Sequence, residues 1–146
     1  MAKTYYSLNV HISFSVKNRD LLLQAELLER MIHYLVGTIN GLVGRSLQVG
    51  GVADHVHLLF GMKSSDSVSA MVREIKKAST NWIRQEIPGF SWQAGYAAFS
   101  VSPERLDAVS KYIVKQPEHH AKKTYREEWI ELLKYARIEL DESQFD

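Results

Sequence analysis

The sequence contains no cysteine, so disulfide bonds, zinc–thiolate sites and cysteine nucleophiles are excluded. It has no apolar run long enough to cross a membrane, and its first residues lack the apolar core of a signal peptide. The formal net charge is only +1, so any binding of nucleic acid has to come from local basic patches. We therefore expect a cytoplasmic protein that is not held in a membrane.

Length and composition predict one globular domain. The chain has 146 residues, of which 45% are hydrophobic and 24% charged, and this is ordinary for a single domain that buries its own core. We find no repeats, low-complexity tracts or linkers. Residues 1–146 are therefore expected to form one domain, with a core over about 5–125 and a C-terminal helix or tail over 126–146.

Hydrophobic periodicity predicts an alternating order of strands and helices. Residues 6–16 alternate apolar and polar side chains, which is typical of a strand with one buried and one polar face. A helix is expected from Asp20 to about Asn40, ended by Gly41 and Gly44. Further strands are expected over 45–49 and 54–61, separated by a turn at 50–51.

The second half of the chain predicts two further helices with an extended segment between them. Ser67 is expected to cap a helix that runs to about Glu86 and buries the stripe Met71, Ile75, Ala78 and Trp82. An extended segment over 91–101 and a helix over about 103–116, perturbed by Pro117, follow. The order β-α-β-β-α-β predicts an α+β, ferredoxin-like fold: an antiparallel sheet with helices on one face, plus a C-terminal helix.

Two histidines stand two positions apart in the third predicted strand. Side chains at such positions project from the same face, so His55 and His57 point together while Val56, Leu58 and Phe60 fill the opposite face. Two adjacent imidazoles form half of a divalent-metal site. Taken alone, the pair is more often structural than catalytic.

The third predicted helix supplies the groups that the histidine pair lacks. Tyr112 and Gln116 are four residues apart and so lie on one helical face. Gln116 offers an amide oxygen to a hard cation, and Tyr112 offers a phenolic oxygen as a nucleophile. Two histidines and one amide suit Mg²⁺ or Mn²⁺ better than zinc, and a tyrosine beside a metal-bound phosphodiester suggests a phosphotyrosine intermediate.

These motifs resemble a known enzyme family. His55-Val56-His57 is similar to the HUH motif, in which U is a bulky apolar residue, and the segment from Tyr112 to His120 resembles the catalytic helix of single-tyrosine HUH transposases of bacterial insertion sequences. Asp54, Lys76-Lys77 and the segment 90–96 match as well. The resemblance covers residues from about 5 to 125.

The resemblance implies a DNA strand-transfer enzyme that cleaves and rejoins single-stranded element ends, often hairpins, through a 5′-phosphotyrosine intermediate and without a nucleotide cofactor. It implies that Tyr112 is the nucleophile and that His55, His57 and Gln116 bind Mg²⁺ or Mn²⁺. It also implies a homodimer, in which the tyrosine is supplied either in cis or in trans. Asp54 either orients a histidine ligand or is a simple turn residue.

Basic and aromatic residues around these motifs are candidates for contacts with DNA. For the basic residues the alternative is a solvated charge; for Trp92 core packing is the stronger interpretation, and the role of Tyr96 is left open. The candidates are Arg73, Lys76, Lys77, Arg84, Trp92, Tyr96, Lys111, Lys115, Lys122 and Lys123. His119 and His120 follow Pro117 and either contact phosphate or metal or have capping or surface roles. His11 is expected on a solvated face of the first strand, with contact to the site as the alternative.

Two alternative functions remain open. A domesticated relative that processes repeated palindromes, or another HUH nuclease, would keep the chemistry and change its biological use. A non-catalytic DNA-binding protein on the same fold would have lost part of the set His55, His57, Tyr112 and Gln116.

Overall fold

Four strands form one antiparallel sheet in the order β2-β3-β1-β4. The computed structural model describes residues 2–18, 22–43 and 45–141. The strands are β1 (Asn9–Ser15), β2 (Ser46–Val52), β3 (His55–Gly61) and β4 (Ala97–Val101). Because β1 and β3 are the central pair, their side chains line the middle of both faces. The predicted ferredoxin-like fold is confirmed.

Helices cover both faces of this sheet. They are α1 (Ala25–Val43), α2 (Val68–Ile83), α3 (Leu106–Val114), α4 (Gln116–His119) and α5 (Tyr125–Tyr135). As predicted, α1 and α2 share one face, where they pack on apolar side chains of the sheet. The C-terminal helices α3 and α5 lie on the other face. Within the described residues, no helix is long and apolar enough to span a membrane.

The α1/α2 face is a conventional apolar core. Ile12 and Phe14 from β1 and Leu58 and Phe60 from β3 are at most 1% exposed there. They pack against side chains of α1 and α2 that recur at helical spacing, such as Met31, Leu35 and Ile39 of α1. This layer holds the sheet rigid behind the histidine pair.

A close approach of backbone to backbone places α3 against β2. A Cβ atom on Gly50 would lie 2.8 Å from both the carbonyl oxygen and the Cγ2 atom of Ile113. Only glycine therefore allows the end of α3 to approach β2 this closely. The expected turn at 50–51 is wrong, because both glycines lie within β2 and the chain turns at Ala53-Asp54 instead.

The first strand and first helix are shorter than predicted. The strand begins at Asn9 because its neighbours β3 and β4 end opposite that residue, at Gly61 and Val101, and leave Tyr6 and Leu8 exposed. The first helix begins at Ala25, and residues 22–24 before it are not helical. It ends at Val43 and includes Gly41, while the predicted limits Asp20 and Gly44 lie outside the described residues.

The later helices also differ in detail from the prediction. Ser67 caps α2 by accepting from the amide of Ala70, but the helix ends at Ile83 rather than near Glu86. Its buried stripe is rotated from the predicted one: Ala78 and Trp82 are only partly buried, and the fully buried side chains are Met71, Val72, Ile75, Ser79 and Ile83. The helix expected over 103–116 divides into a 3₁₀ turn, α3 and α4.

Pro117 explains the division between α3 and α4. Proline cannot donate a backbone hydrogen bond, and inside a helix its ring clashes with the carbonyl four residues earlier, here that of Ile113. The helical path is interrupted at Lys115 (φ −87°, ψ 11°) and resumes at Gln116. The predicted perturbation is confirmed, and the break turns the buried Gln116 toward the sheet.

Candidate active site

The histidine pair lies on the face of the sheet that α3 and α5 cover. His55 and His57 are fully buried, and their ring centroids are 5.1 Å apart. The Nδ1 atom of His55 lies 2.7 Å from Oδ1 of Asp54, which fixes the ring and leaves Nε2 facing into the protein. The predicted projection of both rings from one face is confirmed.

Glu128 of α5 is the centre of the site, and the sequence interpretation missed it. Its Oε1 atom lies 3.0 Å from Nε2 of His57 and 3.2 Å from Nε2 of His55. Its Oε2 atom accepts hydrogen bonds from the Tyr112 hydroxyl and from Nε2 of Gln116, the latter at 2.7 Å. One buried carboxylate therefore joins the strand β3 to the helices α3 and α4.

The four residues predicted to form the site come together within one chain. Oε1 of Gln116 lies 3.0 Å from Nε2 of His55, and the Tyr112 ring contacts the His57 ring edge-on at a centroid distance of 5.8 Å. Tyr125 at the start of α5 stacks on His55 at 3.9 Å and hydrogen-bonds to Ser13 of β1. The contacts of Glu128 and Tyr125 thus hold α5 against the histidines.

The ionisation of the site follows from burial and from its charges. Burial alone would raise the pKa of Glu128, but its contacts with His55, His57 and Tyr112 hold that pKa far below the usual range, so the carboxylate is ionised. Burial raises the pKa of Tyr112, and the Glu128 carboxylate raises it further, so the phenol is protonated and donates to Glu128.

The two histidines of the pair are shifted in opposite directions. Burial lowers the pKa of His57, and the Glu128 carboxylate only partly opposes this. Burial also acts to lower the pKa of His55, but its contacts with Asp54 and Glu128 outweigh burial and raise it. The two carboxylates therefore favour positive charge at His55, whether a proton or a metal ion carries it.

The chemistry of the facing atoms fits a metal ion. One ligand atom from each of His55, His57 and Glu128 lies within 4.8 Å of the others. Because Nδ1 of His55 faces a carboxylate, it carries the ring proton, and Nε2 of the neutral ring is an acceptor. That acceptor faces two others, Oε1 of Gln116 and Oε1 of Glu128. Acceptors that converge in this way need a proton or a metal ion between them.

A third histidine supports the pair from β1. His11 is 4% exposed, and its Nε2 atom lies 2.8 Å from Nδ1 of His57. Burial, together with the nearby His57, lowers the pKa of His11 to about 3, so this ring is neutral. The expected solvated position of His11 is wrong because α3 and α5 cover the polar face of β1, where its ring also contacts Phe99 and Tyr112.

The predicted DNA-contacting residues divide between the two sides of the sheet. Lys111 and Lys115 are exposed near Tyr112, and Lys122 and Lys123 line a groove of about 1190 Å³ beside Asp54 and His120. Lys123 also forms an ion pair with Glu131. The four residues of α2 and the loop after it, Arg73, Lys76, Lys77 and Arg84, lie on the α1/α2 side and away from the histidines.

Arg84 donates from Nε to the backbone carbonyl of Phe90 at 2.8 Å, and three further candidate DNA contacts also have structural partners. The ammonium of Lys76 donates to the carbonyls of Gln93 (2.9 Å) and Gly95 (2.7 Å), which ties the loop before β4 to α2. Trp92 is 7% exposed and donates to Ser79 at 2.9 Å, and Tyr96 packs partly buried against the same core. These positions favour structural roles for all three residues.

Glu128 carries a weak sequence signal. Thr124 and Glu127 form the capping box that begins α5, and Tyr125, Trp129 and Leu133 mark its apolar side. Glu128 precedes Trp129 on this buried side, and an acidic residue at such a position is unusual. The pattern flags a buried carboxylate without identifying its partners.

Known proteins with similar sequences or structures identify the family. The profile of the family described as "Transposase IS200 like" matches residues 4–116. A crystal structure from Deinococcus radiodurans R1, described as that of a transposase, aligns with a TM-score of 0.62 and 23% identity over 80% of this chain and 98% of its own. A REP-associated tyrosine transposase bound to a REP hairpin aligns with a TM-score of 0.59 and 17% identity, over 82% and 73% respectively.

These comparisons differ in what they establish. At identities below 25%, the two solved structures show a shared fold alone. A search of curated protein sequences finds no relative. The family match spans most of the chain and includes the histidine pair, Tyr112 and Gln116, in agreement with the resemblance seen in the motifs. The chain belongs to the IS200-like transposase family.

Proposed function

We propose that this protein cleaves and rejoins single-stranded DNA through a covalent bond to Tyr112. The observation that supports this most strongly is the convergence of the Tyr112 hydroxyl and both histidines on the Glu128 carboxylate. In the proposed step the Tyr112 oxygen bonds to phosphorus, the bond from phosphorus to the 3′ oxygen breaks, and a 3′ hydroxyl is released. The 5′-phosphotyrosine conserves the energy of the broken bond, so rejoining requires no nucleotide cofactor.

The surrounding residues have distinct proposed roles. His55, His57, Gln116 and Glu128 hold Mg²⁺ or Mn²⁺, which when bound polarises a phosphate oxygen. Asp54 fixes the ring of His55. Oε2 of Glu128 positions the Tyr112 hydroxyl and is the carboxylate oxygen within reach of its proton, while Oε1 faces the histidines. DNA has to displace this hydrogen bond, because the phosphodiester must reach the same hydroxyl.

A basic groove beside the site supports DNA as the partner. Lys17, Lys122, Lys123 and Arg126 line the groove of about 1190 Å³, and Asp54 and His120 line it as well. Basic side chains along a groove are suited to a phosphate backbone. The REP-associated relative is bound to a hairpin, which supports a hairpin substrate here too. An enzyme that processes genomic palindromes would use the same chemistry. The sequence of the DNA that is cleaved would distinguish it from the transposase of a mobile element.

One chain supplies both the histidine pair and the tyrosine in this arrangement. We therefore propose that cleavage uses Tyr112 in cis, and that the expected homodimer is not needed to complete a site. The assembled set His55, His57, Tyr112 and Gln116 also disfavours a non-catalytic relative, because such a protein has no use for an intact nucleophile and ligand set.

Cleavage of labelled hairpin DNA tests this proposal. Replacing Tyr112 with phenylalanine removes only the hydroxyl, so we expect a loss of about 10⁴-fold or more and no covalent protein–DNA product. Tyr125→Phe is the matched control, because its hydroxyl bonds to Ser13 and not to Glu128. A covalent product from the Tyr112→Phe protein would refute the nucleophile. Activity recovered by mixing Tyr112→Phe with His57→Ala would refute the cis arrangement.

A further inference from the structure

His120 lies beside the metal ligands but outside the set assigned above. Its ring centroid is 4.4 Å from that of His55, and its side chain is 9% exposed. Its Nε2 atom lies 3.1 Å from Oε1 of Glu128, the same oxygen that faces His55 and His57. By contrast, the preceding His119 places its ring 5.0 Å from that of Tyr112.

The hydrogen bond on the other side of the ring determines which nitrogen faces Glu128. Nδ1 of His120 lies 2.7 Å from the backbone carbonyl oxygen of Lys123. A carbonyl oxygen only accepts hydrogen bonds, so Nδ1 carries the ring proton. In the neutral ring Nε2 is then an acceptor, and it faces a carboxylate oxygen that is also an acceptor.

His120 and His55 are thus oriented in the same way. In each ring Nδ1 is bound to an oxygen, of Lys123 or of Asp54, and Nε2 faces Oε1 of Glu128. A metal-binding histidine usually has this arrangement, with one nitrogen donating to an oxygen and the other ligating. We propose that Nε2 of His120 is a further ligand of the divalent ion, beside His55, His57 and Glu128.

This inference rests on the proposed metal-dependent function and makes its ligand set more specific. Three imidazole nitrogens favour Mn²⁺ over Mg²⁺, because Mg²⁺ prefers oxygen ligands. His120 also lines the basic groove. The alternative to a metal ion between His120 and Glu128 is a second ring proton on His120, which would donate a hydrogen bond to the carboxylate.

Binding of MnCl₂ to the full-length Tyr112→Phe protein distinguishes the two. The readouts are the dissociation constant from calorimetry and the number of coordinated imidazole nitrogens from pulsed EPR. His120→Ala removes the ligand, and His120→Asn keeps a side-chain N–H for the Lys123 carbonyl while it removes Nε2. His119→Ala is the matched control, because its ring contacts Tyr112 rather than Glu128.

We expect three coordinated imidazoles in the parent protein and two in both His120 variants. We expect the Mn²⁺ affinity of both His120 variants to fall about tenfold or more, because loss of a group that only supports a ligand already costs about this much. His119→Ala should bind Mn²⁺ as the parent does. Two imidazoles in the parent, or unchanged affinity in His120→Asn, would overturn the His120 ligand alone. No binding of Mn²⁺ by the parent would instead overturn this ligand and the proposed metal dependence together.

Discussion

The two faces of the sheet are built from the same strands and differ in the polarity of the side chains that β1 and β3 bury there. On the α1/α2 face, β1 and β3 present Ile12, Phe14, Leu58 and Phe60 to an apolar core. On the α3/α5 face the alternate positions of the same strands present His11, Ser13, His55 and His57, all at most 4% exposed. Burial is therefore equal on the two faces, while polarity is opposite.

This difference shows how the protein separates stability from chemistry. Apolar burial on one face stabilises the fold without needing exact partners. On the other face every buried polar group needs a hydrogen-bond partner or an ion, and the helices α3 to α5 supply several of these partners, among them Glu128. A substitution should consequently affect mainly stability on the first face and mainly metal binding on the second.

Adjacent residues of β3 provide the largest expected contrast. Leu58→Ala leaves a cavity in the α1/α2 core, and we expect the free energy of unfolding to fall by about 2–5 kcal/mol. His57→Ala removes a proposed ligand, and we expect no measurable metal-dependent cleavage. Urea unfolding and Mn²⁺ calorimetry on both proteins give the comparison. Weakened Mn²⁺ affinity in folded Leu58→Ala, or full affinity in His57→Ala, would contradict the separation of roles.

Local pattern predicted the strands and helices of the apolar face, although not the exact buried stripe of α2, and it predicted half of the other face. The two-residue period of β3 predicted that His55 and His57 share a face, and the four-residue spacing predicted that Tyr112 and Gln116 lie on one helical face, where both donate to Oε2 of Glu128. The second result held although Pro117 interrupts the helix, because Gln116 remains one turn beyond Tyr112. These relations depend only on neighbours in sequence.

Relations across the sheet were not available from the sequence. Glu128 reaches His57 from 71 positions away, and its place depends on how Trp129 and Leu133 dock α5 beside β4. The same docking buries His11, which the alternation of β1 alone assigns to a solvated face. Which side of a strand becomes buried is decided by the later helices, and their packing has no periodic signal in β1.

The pH dependence of stability should also separate the two faces. His11 has a pKa of about 3 in the folded state and about 6.5 when unfolded, so below pH 6.5 the unfolded state binds more protons and stability falls. From pH 7 to pH 5 this single group accounts for a loss of about 2 kcal/mol. His11→Gln should remove that part of the loss in urea unfolding with EDTA present.

His33 is the control for this experiment, because it is exposed on α1 and touches neither face of the sheet centre. His33→Gln should keep the pH dependence of the parent protein. If His11→Gln loses as much stability as the parent between pH 7 and pH 5, the buried neutral His11 is not a source of acid sensitivity.

The smallest expected difference concerns the lysines around the two faces. Lys122 lines the groove beside His120, whereas Lys77 is exposed on α2, on the opposite side of the sheet. Each contact with a phosphate of single-stranded DNA contributes about 0.7 to the slope of log affinity against log salt. In the Tyr112→Phe background, Lys122→Gln should therefore reduce this slope by about 0.7, measured by fluorescence anisotropy with labelled oligothymidylate. Lys77→Gln should leave the slope unchanged. An equal reduction in both variants would mean that DNA binds to basic side chains on both faces of the sheet without preference.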